Sequence, residues 1–245
     1  MTALKPYYDA GGITIYHGDA LDVIDALTEA GTTIDAAVMD PPYASGARTE
    51  AKKPSSGAMV RGARWNAKPI ENDQMTTAGF VWLMRMVFRG VARLLPDGGS
   101  VACFIDWRQW GNLLGAAESV NLRVNQMVVW DKESYGLGHG FRSQHELILH
   151  ASKGVPEIHA ADTGNVFSHK RDSNEEHPSP KPPQIIERAL RVICPPRGRA
   201  LDPFMGSGST LVAAKALGMS AIGIELEERY CEVAARRLSQ EALPL

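Results

Sequence analysis

Arg199-Ala200-Leu201-Asp202-Pro203-Phe204-Met205-Gly206-Ser207-Gly208-Ser209-Thr210 runs from a short apolar stretch through an acid into a glycine turn, and on into a helical pattern. A strand-to-helix turn of this kind lets a ligand approach the backbone closely, because glycine carries no side chain to block it. The segment lacks the Gly-Lys-Ser/Thr ending of a phosphate loop, and Leu211 stands where a dinucleotide fingerprint would need its third glycine. A smaller nucleoside-like ligand therefore suits it better than a triphosphate or a dinucleotide. Farther on, Ile222-Gly223-Ile224-Glu225 ends the next apolar run in an acid, the placement that holds ribose hydroxyls. Glu225 also reads as an ordinary acid at a helix N-terminus, where its contribution would be at most about 1 kcal/mol.

Outward from this turn, short β-rich runs alternate with helical stretches, the pattern of α/β layering. The runs predict strands over 13–16, 36–39, 100–105, 125–130, 146–150, 199–201 and 221–224. Helices are predicted over 21–29, 76–94, 110–119, 181–192, 209–217 and 228–239. Ala36-Ala37-Val38-Met39 is apolar throughout, as befits a strand covered on both faces. Directly after it comes Asp40-Pro41-Pro42-Tyr43. Ligands of open α/β sheets sit outside the carboxyl ends of the strands. The two prolines restrict φ and supply no N–H, so they make a stiff corner with a carboxylate on one side and an aromatic ring on the other. Carboxylate and carbonyl can accept from an exocyclic amine while the ring stacks on a planar base. An isolated Asp-Pro-Pro is equally an ordinary turn; the strand before it and the aromatic after it are what single it out.

The chain has 245 residues, 44% of them apolar and 22% charged, enough for one large domain over 1–245 and incompatible with a fibrous or wholly disordered chain. No apolar run reaches the ~18 residues of a membrane span, and residues 1–12 lack the apolar core of a secretory signal. Cys103, Cys194 and Cys231 have no close pair or metal-ligand spacing and fit a reducing, cytoplasmic compartment as small buried hydrophobes. The seven histidines show no zinc spacing either, so no metal is expected. Net charge is -2, so a nucleic-acid partner would have to meet a local positive surface.

Three stretches break the pattern. Residues 44–70 carry Arg48, Lys52, Lys53, Arg61, Arg64 and Lys68 against the single acid Glu50, with Trp65 among them. They read either as a solvated insertion or as a surface for phosphates, with Trp65 as a stacking or wedging side chain. Residues 136–145 form a loop bearing Gly140, Arg142 and His145, and 152–180 is a polar segment ending in prolines that is a candidate part of target recognition.

With these motifs in this order, the chain resembles the amino-methylating DNA methyltransferases, which transfer methyl from S-adenosylmethionine to adenine N6 or cytosine N4. Asp40-Pro41-Pro42-Tyr43 resembles their catalytic motif, and Asp202 through Thr210 their cofactor loop, with Met205 and Ser209 where Ala and Thr are commoner. His177-Pro178-Ser179-Pro180-Lys181-Pro182 resembles the His-Pro-Thr-Gln-Lys-Pro element ahead of that loop, with Pro180 in place of Gln. The stretch from Gly18-Asp19 to Tyr43 is similar to the family's amino terminus, and Trp130-Asp131-Lys132 through His145-Glu146 to its middle. A catalytic motif ahead of the cofactor loop resembles the β-group, a circularly permuted arrangement.

The resemblance implies a Rossmann-like S-adenosylmethionine-dependent methyltransferase fold. Its mostly parallel seven-stranded sheet would have the order 3-2-1-4-5-7-6, strand 1 near 199–201 and strand 4 near 36–39. It implies site-specific methylation of double-stranded DNA, on the N6 of a flipped-out adenine because the catalytic motif begins with Asp. The alternatives are cytosine N4 and an inactive DNA-binding protein of the same fold. A nicotinamide oxidoreductase is disfavoured by the missing third glycine. By the same resemblance, Asp40 and the Pro41 carbonyl would accept the hydrogens of the amine, Pro42 would stiffen the corner and Tyr43 would stack on the base. Phe204, Gly206, Ser207, Gly208, Ser209 and Thr210 would line the cofactor, Asp202 meeting its amino group, Glu225 its ribose and Asp19 its adenosine part. Lys181 would either cap the amino-acid end or simply begin a helix. DNA contacts are expected from Arg48, Lys52, Lys53, Arg61, Arg64, Trp65, Arg142 and His145. Further expectations are a homodimer around DNA and a prokaryotic or phage setting; no restriction partner is specified.

Overall fold

In the computed structural model the described residues are 4–43, 75–136, 139–170 and 181–240. The strands are β1 (Tyr8–Ala10), β2 (Ile13–His17), β3 (Ala36–Met39), β4 (Ser100–Ile105), β5 (Arg123–Asp131), β6 (His145–Ser152), β7 (Val166–Ser168), β8 (Arg199–Asp202) and β9 (Ser220–Glu225). The helices are α1 (Ala20–Glu29), α2 (Thr77–Leu94), α3 (Trp110–Glu118), α4 (Pro183–Ile193), α5 (Ser209–Ala216) and α6 (Glu228–Gln240).

Among the described residues, nine strands join one sheet in the order β1-β2-β9-β8-β3-β4-β6-β5-β7. Two short edge strands therefore correct the expected count of seven. With β8 as strand 1 and β3 as strand 4, the inner seven read 3-2-1-4-5-7-6. β6 lies antiparallel to both β4 and β5, while β2, β9, β8, β3 and β4 pair in parallel. β1 arises from a tight hairpin: Ala10 pairs with Ile13, and Gly11 and Gly12 take φ of 60° and 80° between them. Positive φ at both central residues is the requirement of a type I′ turn, which glycine meets without strain. β7 is three residues of the polar segment, of which only Phe167 is buried.

Alternation along the strands divides the core into two layers. Ala37, Met39, Val101, Cys103 and Ile105 face the layer that holds side chains of α1, α2 and α3. Ala36, Val38, Ala102 and Phe104 face the layer built with α4, α5 and α6. A sheet covered on both sides explains why β3 and β4 are buried along their whole lengths. Each cysteine is buried in this core. Among the described residues no helix is long and apolar enough to cross a membrane.

The centre of the sheet is the pairing of β3 with β8 on one side and β4 on the other, all parallel. Chain order reverses there, so the loops that follow β3 and β8 diverge above the sheet and open a crevice between them. One helix boundary also differs from expectation. α4 begins at Pro183, with Pro182 as its N-cap, and not at Lys181. Proline is well suited to the first helical position, and a residue just ahead of a proline is steered toward extended backbone. Lys181 is thereby left outside the helix and buried.

Candidate active site

Asp40 follows the last residue of β3, and Asp202 is the last residue of β8. The neighbouring strand ends bring them to one cleft of about 440 Å³, within the usual range for small-molecule sites, about 300–1,000 Å³. Asp40, Pro41, Pro42 and Tyr43 line one side; Asp202, Phe204, Gly206, Ser207, Ser209 and Thr210 line the other; Asp19, Lys181 and Glu225 complete the wall.

On the glycine side, backbone geometry is fixed by acids. Gly206 has φ of 50°, and its N–H donates to Glu225 Oε2 at 2.9 Å. The second oxygen, Oε1, accepts from the N–H of Glu227 at 2.8 Å. Glu225 therefore ties the turn after β8 to the end of β9, and burial raises its carboxyl above the usual value, against the pull of these N–H groups. Gly208 is the residue of the turn that does not line the cleft. It has φ of 84°, caps α5, and a Cβ there would come within 2.8 Å of Ala234 Cβ on α6. The missing side chain lets α5 and α6 approach each other at this point. The Ser207 hydroxyl and carbonyl accept from Arg237 at 3.2 and 2.7 Å, so α6 also braces the turn. Asp19 lines the rim while accepting the N–H of Leu21 at 2.8 Å as the N-cap of α1.

Asp202 is 3% exposed and accepts the Phe204 N–H at 2.9 Å. Burial pushes its carboxyl up to about 7, with the Asp40 and Glu225 carboxylates adding to the rise and hydrogen bonds from Thr210 and Phe204 opposing it. In the unfolded chain the ordinary value is 3.8. The folded state thus holds a proton that the unfolded state gives up, so the contribution of Asp202 to stability is fully present below about pH 4 and is lost as pH rises through about 7. Replacing Asp202 by Asn removes that loss. Urea unfolding of the ligand-free protein between pH 5 and 8 is expected to give a shallower decline of stability with pH for Asp202→Asn than for the parent chain; identical slopes would place the buried charge elsewhere.

On the other side, Asp40 is held by two donors. Lys181 Nζ lies 2.5 Å from Oδ2, and the Tyr43 hydroxyl donates to Oδ1 at 2.7 Å. Tyr43 also meets Glu146 Oε2 at 3.1 Å, Lys181 is 3.5 Å from that same oxygen, and Lys132 pairs with Oε1. Burial and then the two carboxylates drive the Tyr43 hydroxyl well above its ordinary range, so it remains a donor. Burial alone would raise Glu146, but the Lys181 and Lys132 ammoniums outweigh it and hold the carboxyl below the usual value. The same balance favours a charged Lys181, whose burial is outweighed by Asp40 and Glu146.

Lys181 thus meets the carboxylate of the Asp-Pro-Pro-Tyr corner. Glu146 and Lys132 were not among the residues singled out from the sequence. Their sequence signal is that they bound the stretch from Trp130-Asp131-Lys132 to His145-Glu146 that resembles the family's middle, which by itself gives neither a role. Arg48, Lys52, Lys53, Arg61, Arg64 and Trp65 lie outside the described residues. Arg142 is exposed with its guanidinium 3.6 Å from the Tyr135 ring centroid, and His145 is exposed at the start of β6; neither lines the cleft.

The family model described as DNA methylase, of the N6/N4 type, matches residues 34–236. Type II methyltransferase M.ScaI of Streptomyces caespitosus is 26% identical over 281 residues, covering 98% of this chain and 86% of that protein. Among solved structures, the M1.HpyAVI–SAM complex aligns with a TM-score of 0.67 at 23% identity, over 92% of this chain and 99% of that one. The cytosine-N4-specific PvuII DNA methyltransferase aligns with a TM-score of 0.74 at 16% identity, over 98% and 91%. At these identities the two structures speak for the fold alone.

Proposed function

The chain belongs to the N6/N4 DNA methylase family, and from that premise we propose that it methylates the exocyclic N6 of an adenine flipped out of double-stranded DNA, with S-adenosylmethionine as donor. The observation that carries this reading is the shared cleft, in which an amine-accepting corner, Asp40 to Tyr43, faces a nucleoside-type turn, Asp202 to Thr210. When bound, S-adenosylmethionine supplies an electrophilic methyl group on a sulfonium centre.

The residues present fit that cofactor. Asp202 is a buried carboxyl on the cleft wall that an ammonium would ionise, Gly206 exposes backbone, and Glu225 stands at the end of the neighbouring strand for ribose hydroxyls. An ammonium beside Asp202 lowers a carboxyl value that otherwise stands at about 7, so binding near pH 6 should release close to one proton. Calorimetry in buffers of different ionisation enthalpy measures this directly. A proton count of zero, or one unchanged by Asp202→Asn, would remove Asp202 from the amino group.

For the base, Asp40 and the Pro41 carbonyl accept the two amine hydrogens and turn the nitrogen lone pair toward the methyl group. Asp40 need not be a strong base, because the proton can leave as the methyl arrives. Positioning supplies much of the rate, and the ring of Tyr43 stacks on the base, whose extrusion costs a few kcal/mol. Residues 44–70, with Lys52 and Lys53, are the proposed phosphate-contacting stretch.

The Asp-first motif supports adenine; the fold shared with a cytosine-N4 enzyme keeps the N4 amine as the second reading. Incubation with labelled S-adenosylmethionine and mixed-sequence duplex DNA, followed by digestion to nucleosides, separates them. N6-methyladenine is the expected product; N4-methylcytosine would transfer the same cleft to the other base, and no methylated nucleoside would end the proposal.

A further inference from the structure

Behind the Asp40–Tyr43 corner stands a group of buried charges that the methyl-transfer reading leaves unused. Lys132, the residue after β5, and Glu146, the second residue of β6, pair within the hairpin. Their side chains are 6% and 13% exposed, and that of Lys181 is 6% exposed. Burying such groups costs several kcal/mol per ion before pairing, and well-packed apolar replacements of a buried ion pair are often neutral or stabilising. Stability is therefore a poor reason for the arrangement.

Geometry supplies a better one. Glu146 Oε2 is 3.1 Å from the Tyr43 hydroxyl and 3.5 Å from Lys181 Nζ, and these are the two groups that bond the oxygens of Asp40, at 2.7 and 2.5 Å. Tyr43 has one hydroxyl proton for two carboxylates, and Lys181 lies between the same two. Every polar contact described for the Asp40 side chain thus passes through a group that also touches Glu146.

We propose that Glu146, backed by Lys132, is a positioning residue that sets the ring of Tyr43 and the ammonium of Lys181 so that the Asp40 carboxylate is presented to the substrate amine. The inference rests on the reading of the cleft as a methyl-transfer site. Glu146 does not touch substrate; it acts through Tyr43 and Lys181. Lys132 holds its other oxygen and keeps the carboxylate from swinging toward solvent.

The test uses the full chain and two variants, Glu146→Gln and the apolar pair Lys132→Met/Glu146→Leu. For each, thermal midpoint, S-adenosylmethionine Kd, and kcat and KM for duplex DNA methylation are measured. Both variants are expected to keep cofactor Kd within about two-fold while kcat falls about 10- to 100-fold, the scale expected when reacting groups are misplaced by about 1 Å. The apolar pair is expected to melt at or above the parent temperature and still be slow, whereas a mere packing role would restore both. Parent-like kcat in the apolar pair overturns the proposal, as does loss of cofactor affinity in step with kcat. If the apolar pair unfolds early, the kcat-against-Kd split of Glu146→Gln decides alone. A parent chain that methylates no DNA overturns the underlying reading, a result distinguishable from failure of the positioning role, in which the parent is active and the variants match it.

Discussion

Asp40→Ala is expected to leave S-adenosylmethionine affinity within about two-fold of the parent value and to lower methyl transfer about 10³-fold or more, the combined scale of lost orientation and lost proton acceptance. The separation follows from where the carboxylate stands. Asp40 follows β3 and bonds Lys181 and Tyr43, whereas Gly206 is fixed by Glu225 on the far wall. Removing Asp40 does not orphan Lys181, because Glu146 is 3.5 Å away. Nor does it harm the grip of Asp202: the Asp40 carboxylate is one of the charges that raise the Asp202 carboxyl, so its loss makes Asp202 easier to ionise. Equilibrium dialysis with labelled cofactor, alongside single-turnover methylation, reads both numbers. Parallel loss of affinity and turnover would show Asp40 to be part of the fold or of the cofactor site.

Glu225→Ala is the converse, with about a 100-fold loss of cofactor affinity and a much smaller change of kcat at saturating cofactor. Two effects combine. Hydrogen bonds to a charged acceptor contribute about 1.5–3 kcal/mol each, so losing the ribose hydroxyls alone spans one to two powers of ten per bond. The substitution also releases the N–H groups of Gly206 and Glu227, which Oε2 and Oε1 hold at 2.9 and 2.8 Å, so the turn loses its tie to β9. Glu225→Gln keeps a single acceptor oxygen and should fall between. An affinity unchanged by Glu225→Ala would leave the acid as a local cap and nothing more.

How much of this was legible beforehand depended on whether a feature was local. The inner strands were visible because burial on both faces leaves runs such as Ala36-Ala37-Val38-Met39 with no polar residue to interrupt them. The cleft was visible because two continuous motifs, residues 40–43 and 202–210, supply most of the two walls. The edge strands were not: β1 depends on the Gly11-Gly12 turn to fold back on β2, and β7 buries one side chain, Phe167, in an otherwise polar stretch. The start of α4 moved because two prolines in succession set its first turn, which freed Lys181 to reach Asp40. Glu146 and Lys132 were hidden because their position behind Tyr43 exists only once β6 has inserted, reversed, between β4 and β5. The packing of Gly208 was hidden for the same reason: nothing in its own turn reveals that Ala234, on α6, will press against it.

The parallel pairing of β3 with β8 also governs how the chain reaches this state. Ala36 and Ala37 are joined to Ala200 and Leu201, so on a ribosome the middle seam of the sheet cannot close until β8 has emerged. Until then β3 carries a bare, wholly apolar edge, the kind of surface that invites aggregation and occupies chaperones. Closing so long a loop is also slow, and the wall proposed for the methyl donor, which follows β8, cannot form before it. Nascent chains cut short before β8 should therefore be sticky and unable to take up the donor, however well their early helices have formed.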